Sequence, residues 1–303
     1  MKDVVIIGAG PGGFTSAIYA VRSGLDCVVL ERRAPGGQVL DTDWIENYPG
    51  FPGGINGAEL MGRFEKHARD LGVTIENDEV YEIKRQEGSF VLRTRKGEIE
   101  TKTVILATGT GPRPLGVDGE ERLRGKGVSY CAVCDGFFFR GQEVAVVGGG
   151  DAAVEEAHFL TRFCSKIYLI HRRDQLRAVG SLQRRAFDNP KIEVLWDTVV
   201  TEIHGENSVE KLTLKNTRTG TPGKLKVSGV FIYVGLVPNS YLYKGLVDLD
   251  ERGFVKTNVE MATSVPGLFA VGDVRVTPLR QVVTAVADGA VAAITAEKYI
   301  TGG

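Results

Sequence analysis

Several short stretches of the chain are apolar without interruption: Val4–Ile7, Val28–Leu30, Val104–Ala107, Val144–Val147, Ile167–Ile170, Val230–Val234 and Leu268–Val271. Strands with one wet face alternate apolar and polar residues, so unbroken runs predict a parallel sheet covered on both faces. Between these runs, apolar residues recur at helical spacing in Gly12–Ser23, Ala58–Leu71, Asp151–Phe163 and Gln281–Tyr299. Alternation of strand and helix argues for a doubly wound α/β architecture.

The pattern repeats. Gly8-Ala-Gly10-Pro-Gly-Gly13 follows a predicted strand and opens a helix, and Gly148-Gly-Gly150-Asp151-Ala-Ala153 does the same. In each copy a second strand ends at the same distance from the first glycine, at Leu30 and at Ile170. The economical explanation is two Rossmann-like dinucleotide-binding domains. Thr110–Gly119 and Gly235-Leu-Val-Pro-Asn239 read as crossing segments. The second domain is then inserted into a discontinuous first one, giving segments 1–112, 113–240 and 241–303.

The glycine loops supply space and dipole for a pyrophosphate, which the N–H groups of the helix N-terminus meet. Gly8, Gly10 and Gly13 form the first cradle; Gly148, Gly150, Asp151 and Ala153 form the second. The strand after each loop then separates the two sites. The first ends at Glu31, whose carboxylate suits both hydroxyls of an adenosine ribose and repels a 2′-phosphate. The second ends at His171, followed by Arg172, Arg173 and, a helical turn on, Arg177; guanidinium groups bind a 2′-phosphate in bidentate fashion. The first site is therefore expected to hold FAD or NAD, and the second NADP(H). Weaker signals accompany the first site. Thr108-Gly109 and Gly272-Asp273 close apolar runs, and Arg280-Gln281 opens the last predicted helix, whose positive end favours charge on a reduced flavin.

Composition changes this picture little. Across 303 residues the formal charge is −1, with 43% hydrophobic and 25% charged residues, so no global field gathers nucleic acid or an anionic membrane. No apolar run reaches the length of a membrane span, and the N-terminus enters a strand too early for a signal peptide. A cytoplasmic location is expected. Four cysteines are too few for a secreted disulfide scaffold, and two of them form Cys131-Ala-Val-Cys134-Asp135. That spacing closes a small exchangeable disulfide, beside which Asp135 is placed to move a proton. A zinc site needs four N/S ligands, and no second pair offers them, so no metal is expected. Cys27, Cys164, His67, His158 and His204 read as structural.

These residues closely resemble the short-chain, low-molecular-weight thioredoxin reductases, nearly end to end. The resemblance includes Gly36-Gly37-Gln38, Glu46-Asn47-Tyr48-Pro49-Gly50, Ala107-Thr108-Gly109, Cys131–Gly136, Val154-Glu155-Glu156-Ala157, His171–Arg173 and Gly272-Asp273-Val274. Its most specific feature is a cysteine pair just before the second glycine loop. It implies a homodimer with one FAD and one NADPH site per subunit, passing electrons through Cys131–Cys134 to thioredoxin. It brings Gly37, Gln38, Asn47, Asp273, Arg280 and Gln281 to the flavin, and it leaves open which cysteine faces the flavin, with Cys134 the one favoured here. One departure is Ala152, where many members carry Ser or Thr, so one phosphate hydrogen bond is missing. The alternatives are a flavin reductase serving a glutaredoxin-like or peroxiredoxin partner, or a non-enzymatic redox sensor.

Overall fold

The computed structural model describes residues 1–302. The chain forms two compact units, one built from Met1–Gly111 with the segment from Val237 onward, the other from Pro112–Leu236. The segments that cross, Thr110–Pro112 and Leu236–Pro238, pair with each other as a two-stranded sheet. The return crossing comes before residue 240 because Asn239 already belongs to the first unit. Its N–H donates to the Gly109 carbonyl at 3.0 Å, and its side chain donates to the Thr108 carbonyl at 2.9 Å.

In the first unit, Thr74–Asn77, Cys27–Glu31, Lys2–Ile7 and Gly97–Leu106 run parallel in that order. Gly97–Leu106 takes further partners in the same sheet. Its early residues pair antiparallel with Ser89–Thr94, and Val104–Leu106 pairs parallel with Leu268–Ala270. The unbroken apolarity of Lys2–Ile7 has a simple cause. Val4 and Ile6 enter the core under the helices Pro11–Arg22 and Val282–Thr301, whereas Val5 and Ile7 enter the opposite core with Leu92 and Tyr243. Both faces are covered, so neither can be polar. The two helices pack tightly through small residues: a side chain at Gly289 would strike the Gly12 carbonyl oxygen. Phe14, fully buried on the first of them, contributes about 1.5–3 kcal/mol through burial alone.

The second unit repeats the plan. Ile192–Leu195, Lys166–Ile170, Glu143–Gly148, Gly229–Tyr233 and Val128–Ser129 form a parallel sheet in that order. Asp151–Leu160 and Gly180–Phe187 lie against it, with Val154, Ala157, Leu160 and Leu182 in the core. The helix expected to reach Phe163 ends at Leu160, where a turn takes over: Phe163 N–H and Cys164 N–H both return to the Leu160 carbonyl. An antiparallel sheet of Thr198–His204, Lys211–Asn216 and Pro222–Lys226 completes the unit. Its strands were not predicted, although Leu212 and Leu214 point inward between outward Lys211, Thr213 and Lys215.

Candidate functional site

A cleft of about 500 Å³ opens in the first unit at the C-terminal ends of its parallel strands. Gly8, at φ +108°, turns the chain out of its strand, and its position leaves no room for a side chain beside the Ala107 carbonyl. Gly10 faces open space, and Gly37 comes up against it from the following loop. Gly13 lies behind the cleft, where a side chain would collide with the Gly8 carbonyl, so its role is close helix–strand packing. The helix Pro11–Arg22 has no acidic residue in its first turn and no side-chain cap. Its free N–H groups and dipole are those of an anion site. Glu31 reaches back to the loop, accepting from Ala9 N–H and Arg33 N–H, each at 2.9 Å. Each carboxylate oxygen keeps a second lone pair for a ribose hydroxyl.

At the other end of the same cleft stand Gln38, Thr108, Gly109, Gly272, Asp273, Arg280 and Gln281. Burial pushes the Asp273 carboxyl above its usual range; Arg280 opposes the shift and Asp288 adds to it. Arg280 lies 4.1 Å from the ring centroid of Phe254 and donates to the Asp273 carbonyl at 3.3 Å. Burial lowers its own pKa. Gln281 accepts from the Asn47 side chain at 3.1 Å, and Gln38 donates to Thr110. An anion cradle, a ribose acid and a semi-buried polar end in one cleft fit a flavin dinucleotide.

Sequence reasoning missed the residues that hold these groups. Thr108 Oγ1 donates to the Asn239 carbonyl at 3.0 Å and lies 2.7 Å from the Tyr243 hydroxyl. Asp288, buried in the last helix, accepts from Gly272 N–H at 3.0 Å and grips Arg275 at 2.6 and 2.7 Å. An acid inside an apolar helix was the available signal. Arg32, Asp78 and Tyr241 also line the cleft, with Arg32 donating to the Tyr241 hydroxyl at 2.9 Å.

The second unit carries a cleft of about 360 Å³ lined by Gly148, Gly149, His171, Arg172, Arg177 and Tyr233. His171 is only 5% exposed. Its Nδ1 donates to the Gly148 carbonyl at 3.0 Å, which leaves Nε2 as a buried atom without a protein partner. Burial lowers its pKa; backbone hydrogen bonds to Gly148 and Gln175 oppose the shift and Arg177 and Arg173 add to it, and with Nδ1 donating a neutral ring offers Nε2 as an acceptor. Arg177 is anchored through its N–H to the Gly149 carbonyl at 2.7 Å. Its guanidinium lies beside Gly150, 3.9 Å from where a side chain there would begin. Asp151 does not face the cleft; it accepts from Val179 N–H at 2.8 Å and so holds the loop that carries Arg177. Ala153 takes the packing place of a third glycine, against Gly148. Arg172 and Arg173 are exposed, and only Arg172 lines the cleft.

The dithiol belongs to this same unit. Cys131 and Cys134 form a disulfide with Cα atoms 5.3 Å apart. Cys134 is exposed and Cys131 partly covered. Cys134 N–H donates to Cys131 Sγ at 3.1 Å, and Cys131 N–H donates to Ser129 Oγ at 3.0 Å. Just upstream, the buried Glu120 carboxylate accepts from Leu115 N–H, Gly116 N–H and the Tyr130 hydroxyl, at 2.8, 2.6 and 2.5 Å. Burial opposes its charge, but these hydrogen bonds outweigh burial and hold its pKa low. Asp135 follows in the same turn, its N–H bonded to the Cys131 carbonyl. Phe137 and Phe138 come next, 60% and 73% exposed. Cys27 and Cys164 are buried and unpaired, with burial pushing both thiols up to about 11. They are inert at neutral pH.

The model of the pyridine nucleotide-disulphide oxidoreductases matches residues 2–289. The chain is 47% identical over 299 residues to the thioredoxin reductase of Bacillus subtilis (strain 168), covering 98% of this chain and 94% of that protein. Lactococcus lactis thioredoxin reductase in its FR conformation gives a TM-score of 0.98 at 45% identity, over 100% of both chains. The T. acidophilum thioredoxin reductase gives 0.94 at 36% identity, over 99% and 98%. The chain therefore belongs to the pyridine nucleotide-disulphide oxidoreductases and, within them, to the low-molecular-weight thioredoxin reductases, oxidoreductases that depend on FAD and NADPH.

Proposed function

We propose that the first unit binds FAD, that the second binds NADPH, and that Cys131–Cys134 carries electrons between them and thioredoxin. The observation that carries this reading is that the disulfide belongs to the unit with the arginine-bearing glycine loop and not to the unit that contributes Glu31. FAD, when bound, supplies a two-electron centre that takes hydride from NADPH and reduces a disulfide. Gly8, Gly10 and Gly37 give its pyrophosphate a close backbone approach, Glu31 takes the adenosine ribose, and Asp273 takes a ribityl hydroxyl. Thr108, Gly109, Gln38, Asn47, Arg280 and Gln281 orient the ring end. In the second unit Gly148 and Gly150 receive the NADPH pyrophosphate, His171 Nε2 accepts from a ribose hydroxyl, and Arg172 and Arg177 take the 2′-phosphate.

Reduction breaks the Cys131–Cys134 bond and takes up two electrons and two protons. The Cys134 amide stabilises charge on Cys131 Sγ, which makes Cys131 the attacking thiolate. It displaces one sulfur of the thioredoxin disulfide and forms a mixed disulfide. Cys134, its proton passed to Asp135, then attacks Cys131 Sγ, restoring the original bond and releasing thioredoxin as a dithiol. Phe137 and Phe138 give the partner an apolar landing beside the sulfurs. Phe138→Ala is expected to raise the KM for thioredoxin by about tenfold, while reduction by NADPH alone is unchanged. Steady-state kinetics in thioredoxin, beside single-turnover reduction, separates the two.

The enzyme works in a reducing cytoplasm as a homodimer. Unpaired Cys27 and Cys164 support the compartment. Among the described residues no helix is long and apolar enough to cross a membrane. Partly exposed Tyr19, Val283, Val291 and Ile294, on two long helices of the first unit, support self-association. The reading is tested by anaerobic stopped-flow: NADPH should bleach the flavin, and oxidised thioredoxin should restore its colour. Bleaching without recovery would refute the partner; no bleaching would refute the donor.

A further inference from the structure

Tyr233 touches both functional elements of the second unit. It ends the strand Gly229–Tyr233 and pairs in register with Gly148, the first glycine of the nucleotide loop. The approach is close: a side chain at Gly148 would run into the Tyr233 carbonyl oxygen. The residue lines the cleft with His171 and Arg177. At the tip of its side chain, the hydroxyl accepts from Ala132 N–H at 2.9 Å. Ala132 has no solvent exposure and lies within the disulfide ring, between Cys131 and Cys134.

We propose that Tyr233 is a positioning residue that couples occupancy of the nucleotide cleft to the redox state of Cys131–Cys134. This rests on the second unit being the NADPH site. Reduction breaks the S–S bond, takes up two electrons and two protons, and lets the sulfurs separate to van der Waals distance, so the turn between them must relax. The Ala132 amide cannot turn to water as it does so. It either keeps the Tyr233 hydroxyl or is left unsatisfied, and a buried unsatisfied donor is costly. Tyr233 cannot follow freely, because its backbone is held in the sheet beside Gly148. A nucleotide filling the cleft packs against Tyr233 and restricts it further.

The arrangement in place is that of the disulfide, so a bound nucleotide favours the disulfide over the dithiol. By reciprocity, the disulfide form binds nucleotide more tightly than the dithiol form. The consequence is an order of events: nucleotide affinity falls once the dithiol has formed, and the cleft empties while thioredoxin collects the electrons.

The test uses the FAD-loaded protein, equilibrated without oxygen in glutathione buffers, with thiols trapped by alkylation and counted by mass. Each disulfide reduced consumes two glutathione thiols and yields one glutathione disulfide. The probe nucleotide is 2′-phospho-ADP-ribose, which cannot accept hydride, and its binding is measured on the same protein by calorimetry. Saturating probe should shift the wild-type equilibrium towards the disulfide by about three- to tenfold, the worth of one hydrogen bond. Tyr233→Phe removes only the hydroxyl and should reduce the shift to less than about twofold while FAD and probe still bind. Ala132→Pro removes the donor instead, at the first helical position where proline is tolerated, and should do the same. It decides the matter should Tyr233→Phe fail to hold FAD. Absence of probe binding in the wild type would overturn the NADPH assignment and the coupling together. Binding with no shift, with a shift towards the dithiol, or with a shift that survives both substitutions would overturn the coupling alone.

Discussion

Cys134→Ser is expected to lower turnover with thioredoxin by about a thousandfold or more, while NADPH still bleaches the flavin in a single turnover. The size follows from the chemistry. With one thiol gone, Cys131 cannot form the internal disulfide that stores two electrons, and a mixed disulfide with thioredoxin has no second sulfur to resolve it. Bleaching survives because the glycine loops, Glu31 and the arginines are untouched. The two free cysteines provide the control. Cys27 and Cys164 are buried, with thiols pushed up to about 11, so Cys27→Ser and Cys164→Ser should leave both half-reactions intact. Their cost is stability, about 1 kcal/mol each. Anaerobic stopped-flow of all three variants, with and without thioredoxin, checks the contrast. A Cys134→Ser protein that still turned over at the wild-type rate would remove the disulfide from the electron path.

How much of this was legible in the sequence depended on how local each signal was. The strand–glycine–helix units could be read because a strand buried on both faces must be apolar throughout, as Val4–Ile7 and Val144–Val147 are. The antiparallel strands were harder. Lys211–Asn216 alternates as a half-exposed strand should, but Thr198–His204 loses its alternation at a register shift between Val200 and Glu202, and Pro222–Lys226 is mostly polar. Among the expected site residues, those at strand ends, Glu31, Thr108, Asp273 and His171, line a cleft. What the sequence could not show was which way each side chain turns. His171 turns inward on the Gly148 carbonyl, Asp151 turns away to Val179, and Arg173 stays outside the cleft. Asn239 and Tyr233 lie far along the chain from the residues they hold, and no spacing rule links them.

The arginine positions lead to the other large expected effect. Both repeats carry Arg-Arg after the strand-end residue, at Arg32-Arg33 and at Arg172-Arg173, so that pair alone cannot choose between phosphorylated and unphosphorylated adenosine. The contrast lies elsewhere. The first unit places the Glu31 carboxylate at its strand end, whereas the second places the buried imidazole of His171 there, its pKa lowered by burial, and adds Arg177, fixed to Gly149 and beside Gly150. A charge-assisted hydrogen bond is worth about 1.5–3 kcal/mol, so Arg177→Ala should weaken NADPH binding by about ten- to a hundredfold. NADH has no 2′-phosphate, and its binding should change by less than about threefold. Preference for NADPH over NADH then falls by nearly the whole loss. Arg172→Ala should act in the same direction. Arg173→Ala should act weakly, because that side chain is exposed and outside the cleft lining. Flavin reduction measured across a range of NADPH and NADH concentrations gives the ratio for each variant. Equal loss for both nucleotides on Arg177→Ala would mean that this guanidinium serves the pyrophosphate, which both share, and that selection against NADH rests on His171 and Arg172.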